Sequence, residues 1–297
     1  MRRPSSAFLR SFVLASLAAV GHATSATAQA AGAAKRPAAR PATVALPAAT
    51  VPGTVTINAY DYFYDSPNPI AGGVVTIRLV NRGQDFHNVW IVKIDEGYAF
   101  SDFMRAMGPG RALPGWFTPL GGPESPEPGS ESRLTVELPP GRYALACLLP
   151  AAAHGTTHMA KGMFLPLTVT KESARTTPKG DVPIRITQDG FVAPEAVNAG
   201  THLLHVYSES PTPRGFRLAR LGDGKTAADA QAWIAGGQSG SAPFVLVGGT
   251  TPMAQGGTVW MPLSFASGRY ALLPMGIDLG SGELRYQKGT VATILVP

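Results

Sequence analysis

The 297-residue sequence has a single cysteine, Cys147, so an intramolecular disulfide is excluded. Its thiol needs another role: a small buried hydrophobe, an intermolecular bridge or a metal ligand. The chain also lacks a Gly-x-Ser-x-Gly elbow, a His-Glu-x-x-His zinc motif and a glycine-rich phosphate loop. Those absences argue against hydrolytic and nucleotide-dependent chemistry. Past the N-terminus no run approaches the roughly 18 apolar residues that span a bilayer. Charge is also sparse, since Asp, Glu, Lys and Arg together make up 15% of the residues. The formal net charge of +6 is carried by the first 40 residues, through Arg2, Arg3, Arg10, Lys35, Arg36 and Arg40. The remainder is close to neutral, so the high net charge gives no support for nucleic-acid binding, which needs basic side chains clustered on a folded face, and none is expected.

The N-terminal residues read as processing and spacer segments. Arginines flank a short apolar run over residues 12–20, and Ala28-Gln29-Ala30 offers the small residues a signal peptidase needs. Residues 1–30 are expected to be a signal peptide, which implies export to the periplasm or the extracellular space and no transmembrane segment in the mature chain. Residues 31–52 are rich in Ala and Pro with almost no large apolar side chain, and are expected to be a semi-rigid linker.

From residue 55 onward, short runs of Val, Ile, Leu, Thr and Tyr alternate with Gly, Pro and Asn, the pattern of an all-β protein. Residues 74–80 predict an interior strand ending at Asn81-Arg82-Gly83. Leu134, Val136 and Leu138 predict a half-buried strand, with residues 143–147 returning as its neighbour. Short helices are expected over 98–107 and 226–234, the second with a Thr cap. Residues 60–64, with three aromatic positions at Tyr60, Tyr62 and Phe63 before Tyr64, read as one strand of mixed facing.

Shifting the chain by 127 residues aligns two halves without a gap. Gly141-Arg142-Tyr143-Ala144-Leu145 falls on Gly268-Arg269-Tyr270-Ala271-Leu272, Gly121-Gly122 on Gly248-Gly249 and Lys161-Gly162 on Lys288-Gly289. The expected organisation is two Greek-key β-sandwich domains in tandem, residues 53–171 and 180–297, each large enough for its own core. His87, Cys147, His158 and Met163 of the first half face Arg214, Pro274, Arg285 and Thr290 of the second. Any chemistry therefore belongs to the first half.

These residues resemble the cupredoxins, or blue copper proteins. Asn81-Arg82-Gly83-Gln84-Asp85-Phe86-His87-Asn88 is similar to their strand-ending Asn and His-Asn pair. Gly141-Arg142-Tyr143-Ala144-Leu145-Ala146-Cys147 resembles the strand that delivers the copper-binding cysteine, and His158-Met159-Ala160-Lys161-Gly162-Met163 the closing element. The resemblance implies one copper held by His87, Cys147, His158 and Met163, with the Asn88 amide bonding across to the cysteine loop. A thiolate, two imidazoles and a weak axial thioether suit copper in both oxidation states, so an electron moves with little rearrangement. The sequence departs from the family in its loop 148–157, which places ten residues between Cys147 and His158 and six between Cys147 and His154. Either histidine can supply the second imidazole; the spacing to Met163 favours His158, and Met159 is the weaker axial candidate.

The leading expectation is thus an exported copper-binding, electron-transfer protein with a redox partner. The alternative is a metal-free tandem module that binds a partner in the cell envelope. An enzyme is not expected, because the copper oxidases and nitrite reductases built from such repeats need additional histidines, and no His-x-His or His-Cys-His is present. His202 and His205, three apart in a predicted strand, read as structural, as do Trp90, Trp116, Trp233 and Trp260.

Overall fold

A computed structural model describes residues 53–297 apart from 108–110, 112, 125, 152–155, 174, 278–283 and 287–289. The expected signal peptide and linker, and His154, lie outside the described residues. The first half contains β1 (Thr54–Tyr60), β2 (Phe63–Asp65), β3 (Ile70–Asn81), β4 (Trp90–Ile94), α1 (Phe100–Ala106), β5 (Phe117–Pro119), β6 (Glu131–Leu138), β7 (Gly141–Ala146) and, after a 3-10 turn at Met159–Lys161, β8 (Phe164–Ser173). The second half contains β9 (Val182–Ile186), β10 (Phe191–Val192), β11 (Gly200–Ser208), β12 (Arg214–Leu221), α2 (Ala227–Ala235), β13 (Phe244–Met253), β14 (Thr258–Phe265), β15 (Gly268–Ile277), β16 (Leu284–Tyr286) and β17 (Ala292–Val296). The protein is all-β, and no helix among the described residues is long and apolar enough to cross a membrane.

Both expected helices form. Thr226 caps α2, its Oγ1 accepting from Asp229 N at 3.2 Å while the Asp229 carboxylate accepts from Thr226 N at 2.7 Å. The strand over 74–80 lies within β3, which changes partner along its length. Ile70–Gly73 pairs parallel with β8, whereas residues 73–80 pair antiparallel with β6. A strand that switches sheets in this way turns the corner of a sandwich.

Two expectations of local structure fail. Residues 143–147 do not return beside residues 134–138; β7 pairs with β4 and β8, and β6 with β3 and β14. The Pro139-Pro140-Gly141 connection offers no hairpin pairing, because proline has no N–H to give and Gly141 sits at φ 153. The aromatic segment 60–64 is not one strand but a tight hairpin, in which Asp61 and Tyr62 turn between β1 and β2 and Tyr62 takes φ 74.

The halves are joined more closely than two separate sandwiches. A 12-stranded sheet runs β10-β9-β11-β14-β6-β3-β8-β7-β4-β5, with β1 and β2 attached at β3, and crosses from one half to the other where Val136 pairs with Val259 and Thr135 with Trp260. A second sheet of five strands holds β12, β13, β15, β16 and β17. One hydrophobic cluster takes in Trp90, Ile91 and Phe117 of the first half together with Phe216, Leu218, Met253 and Val259 of the second. The crossing also explains why Thr135, on the solvent side of the alternating pattern, is buried. Directly paired residues share a face, so Trp260 stands beside Thr135, whose hydroxyl lies 2.8 Å from that of Thr76.

Candidate metal centre

Sheet order brings the expected ligands together. In the row β8-β7-β4, Ala146 at the end of β7 pairs with Trp90 at the start of β4 on one side and with Phe164 at the start of β8 on the other. Residues just outside that row emerge at one end of the sheet: His87 before β4, Cys147 after β7, and His158 and Met163 before β8. All four are buried, none being more than 1% exposed.

The donor atoms converge. His87 Nδ1 lies 3.1 Å from His158 Nδ1, and Cys147 Sγ lies 3.6 Å from His158 Nδ1. Among the described residues, this is the one group of three His, Cys, Asp or Glu side chains whose ligand atoms are placed to share an ion, all within 4.8 Å of one another. Met163 is tied in by its backbone, which accepts from Cys147 N at 3.1 Å and donates to His158 O at 2.9 Å. Met159 is also buried, with its N–H on Cys147 O at 2.8 Å.

The enlarged loop does not displace His158. Its base closes as a small hairpin: Pro150 bridges Thr157, Ala151 N donates to Thr156 O at 2.8 Å and His158 N donates to Leu149 O at 2.9 Å. These contacts at the base bring His158 back beside Leu149, so a long spacing in sequence becomes a short one in space.

Local chemistry orients each ring. Asn81, ending β3, holds the loop to His87: its Oδ1 accepts from Gly83 N at 2.9 Å and its Nδ2 donates to Asp85 O at 2.8 Å and Pro126 O at 3.0 Å. His87 Nε2 is 2.9 Å from Asp61 Oδ1, which fixes the tautomer with a lone pair at Nδ1, aimed at His158 and Cys147. Asp61 also accepts from the N–H groups of Gln84 and Asp85. Burial opposes its ionisation, but the His87 contact and these N–H donors hold its carboxyl below the usual range. Gly83 is required by this contact, since a Cβ there would sit 2.6 Å from His87 Nε2.

Burial lowers the His158 imidazole to about 4, with the His87 ring adding to the effect. Its Nε2 is buried with no hydrogen-bond partner among the described residues, and the nearest carboxylate, Asp85, stands at 3.8 Å. The Cys147 thiol is pushed up to about 12 by burial, partly offset by the N–H groups of Asn88 and Leu149. Tyr64, which donates from its hydroxyl to Asn88 O, is pushed up by burial and by the neighbouring Cys147.

This arrangement fits a soft cation. Two Nδ1 atoms and a sulfur converge in a buried pocket, a donor set that selects copper or zinc over hard cations. A cation at the two Nδ1 atoms would leave the proton of His158 on Nε2, facing the Asp85 carboxylate, and so relieve the unpartnered nitrogen. A bound cation would also remove the thiol proton that burial otherwise retains.

The Asn88 side chain departs from expectation. Its Nδ2 donates to Glu124 Oε1 at 3.2 Å, away from the cysteine loop, and the backbone N–H of Asn88 is the group that faces the sulfur. Asp61, Tyr64 and Glu124 carried no motif in the sequence; Asp61 lay inside the aromatic segment read as a strand, and only its turn geometry turns it toward His87. His202 and His205 lie in β11, outside the donor group and engaged with Asp181 and Thr258.

No family model matches the chain, and no curated protein does. Among solved structures, it is similar to a reduced auracyanin from Roseiflexus castenholzii (24% identity, 40% of this chain and 97% of that one, TM-score 0.30). It is also similar to auracyanin A, a "blue" copper protein from Chloroflexus aurantiacus (21% identity, 40% and 100%, TM-score 0.29), and to a copper nitrite reductase from Nitrosomonas europaea (14% identity, 82% and 93%, TM-score 0.22).

Proposed function

We propose that the chain is an exported copper-binding, electron-transfer protein of cupredoxin type, with one type 1-like centre formed by His87, Cys147 and His158 and with Met163 as the weak axial donor. The carrying observation is the convergence of two Nδ1 atoms and one sulfur within hydrogen-bonding distances in a buried pocket. Copper held there would supply a one-electron couple between its two common oxidation states. The chain's own part is to keep the donors rigid: Asp61 fixes the His87 ring, the Pro150–Thr157 bridge and the His158 N–H on Leu149 O fix His158, and the N–H groups of Asn88 and Leu149 disperse charge on the sulfur. A preset donor geometry limits the rearrangement that accompanies electron movement. The second half provides no comparable donor group among the described residues, and a role in electron transfer to a partner, without catalysis of its own, is the reading we adopt.

Copper titration of the reduced mature protein, followed by visible absorption beside a Cys147→Ser control, tests this. The expected result is stoichiometric uptake with an intense thiolate-to-copper band present in the parent alone. No uptake, or weak uptake equal in both proteins, would sink the proposal and leave a metal-free binding module.

A further inference from the structure

The loop that carries His87 is gripped by the other half of the chain. Arg217 on β12 donates from Nε to Glu124 Oε2 at 3.0 Å, and Glu124 accepts on Oε1 from Asn88 Nδ2 at 3.2 Å. Glu124 is 1% exposed, so its charge is compensated inside the protein. The other side-chain atom of Asn88, Oδ1, has no partner among the described residues, which leaves Glu124 as its anchor there. One residue further on, Val89 O accepts from Thr251 Oγ1 at 3.3 Å; one further still, Trp90 Nε1 donates to Pro252 O at 2.8 Å. Three successive residues after the ligand His87 are thus tied, directly or through one carboxylate, to the second half.

We propose that the second half is a built-in positioning element for the metal centre, acting chiefly through the buried relay Arg217–Glu124–Asn88, and that this is its function in a chain whose second copy has no ligands of its own. The inference deepens the copper reading and rests on it. A buried carboxylate is costly without its cation, so Glu124 can serve as the Asn88 acceptor only while Arg217 is in place. Asn88 in turn fixes the backbone between His87 and β4 and aims its own N–H at the Cys147 sulfur. Arg217 and Glu124 do not touch the metal; they set the geometry of groups that do. Partners of this kind behind metal ligands are typically worth about 10- to 100-fold in metal affinity.

The test uses the full mature chain and the double variant Glu124→Leu/Arg217→Met, which removes both charges together with the Asn88 acceptor. Glu209→Gln, at the exposed Arg185–Glu209 pair of the same half, is the control. The double variant is expected to keep the parental circular dichroism and a cooperative melt while binding Cu(II) at least about tenfold more weakly, with a shifted thiolate band. Arg217→Lys, which keeps a cation on Glu124, should recover part of the loss and covers the case in which the double variant fails to fold. Parental affinity and band in the double variant, or in Arg217→Lys an effect as large as in Arg217→Met, would overturn the inference. If the parent takes up no copper, the copper reading fails on that result and positioning is read from the metal-free chain. Loosening the His87 loop should then make iodoacetamide alkylate Cys147 several-fold faster in the double variant, and an unchanged rate would overturn the positioning role by itself.

Discussion

Acid should weaken the metal-free protein through one ring in particular. His158 is neutral in the fold down to about pH 4 because burial and the His87 ring disfavour its charged form, whereas an unfolded histidine titrates near 6.5. Between those values the unfolded chain binds the extra proton, so stability falls as pH falls; above about 6.5 both states are neutral there and the ring has no effect on the slope. Each pH unit inside the window is worth up to about 1.4 kcal/mol, and the whole window roughly 3 kcal/mol. The groups around the ring pull in both directions: Asp85 and Asp61 favour its protonation and Lys161 opposes it, with Lys161 Nζ on Tyr62 OH at 3.1 Å and Tyr62 packed edge-on against the ring. Carboxylates held low, such as Asp61 and Glu131, lose their stabilising ionisation only as the pH drops through their own depressed values, below the ordinary carboxylate range. The interval from 6.5 to about 5 therefore lies above these carboxylates and within the His158 window. Urea unfolding of the metal-free chain at pH 7.5, 6.0 and 5.0 (about one and a half units between steps at most), followed by tryptophan fluorescence, gives the slope. A His158→Gln variant should flatten it. An equal slope in the variant, or no loss in the parent, would refute the burial argument.

Two further perturbations probe the surroundings of the site. Gly122→Ala would place a Cβ 2.0 Å from Val89 O at φ 151, a collision with backbone in the loop that follows His87; chemical denaturation should show a loss of roughly 2–5 kcal/mol, and a loss below about 1 kcal/mol would mean that the loop yields easily. Tyr64→Phe removes the hydroxyl donated to Asn88 O and lying against Cys147; it should cost roughly 1–3 kcal/mol and shift the copper–thiolate band, and an unshifted band would separate this tyrosine from the sulfur.

The candidate donors stood out in the sequence, and their supports did not. His87, Cys147, His158 and Met163 were picked out by the resemblance of their segments to cupredoxin motifs and by the different residues at the matching positions of the second half, and the fold brings the first three together. The length of the Cys147–His158 spacing was uninformative, since sequence distance does not reveal that Pro150 pairs with Thr157 and that His158 returns to Leu149. The pairing of β7 was misread because adjacency in sequence favours hairpins, while the two prolines at its start direct the chain to the other side of the sandwich. Asp61, Glu124 and Arg217 could not be found by any short-range rule: they meet the site from 26, 36 and 93 residues away in their contacts, and only the assembled sheets bring them there.

The seam between the halves accounts for an asymmetry that the sequence alone leaves unexplained. β6 and β14, which the 127-residue shift lays on one another, pair antiparallel with each other, and Pro123 bridges to Thr250, the residue to which that shift carries it. Like surface meets like surface, as in the isologous contact of a twofold dimer. The shift also carries Trp90 to Arg217 and Glu124 to Thr251. In one direction across the seam, Trp90 reaches Pro252 O and Thr251 reaches Val89 O; in the other, Arg217 reaches Glu124. The matching positions thus bond to neighbouring backbone carbonyls on one side and to each other as a buried ion pair on the other. A twofold contact between identical halves would have to use one solution twice. Within a single chain the two sides are free to differ, and the ion pair lies where it can hold Asn88, next to His87. The second half needs no donors of its own to support the first, because what crosses the seam is the grip on the His87 loop and not a ligand.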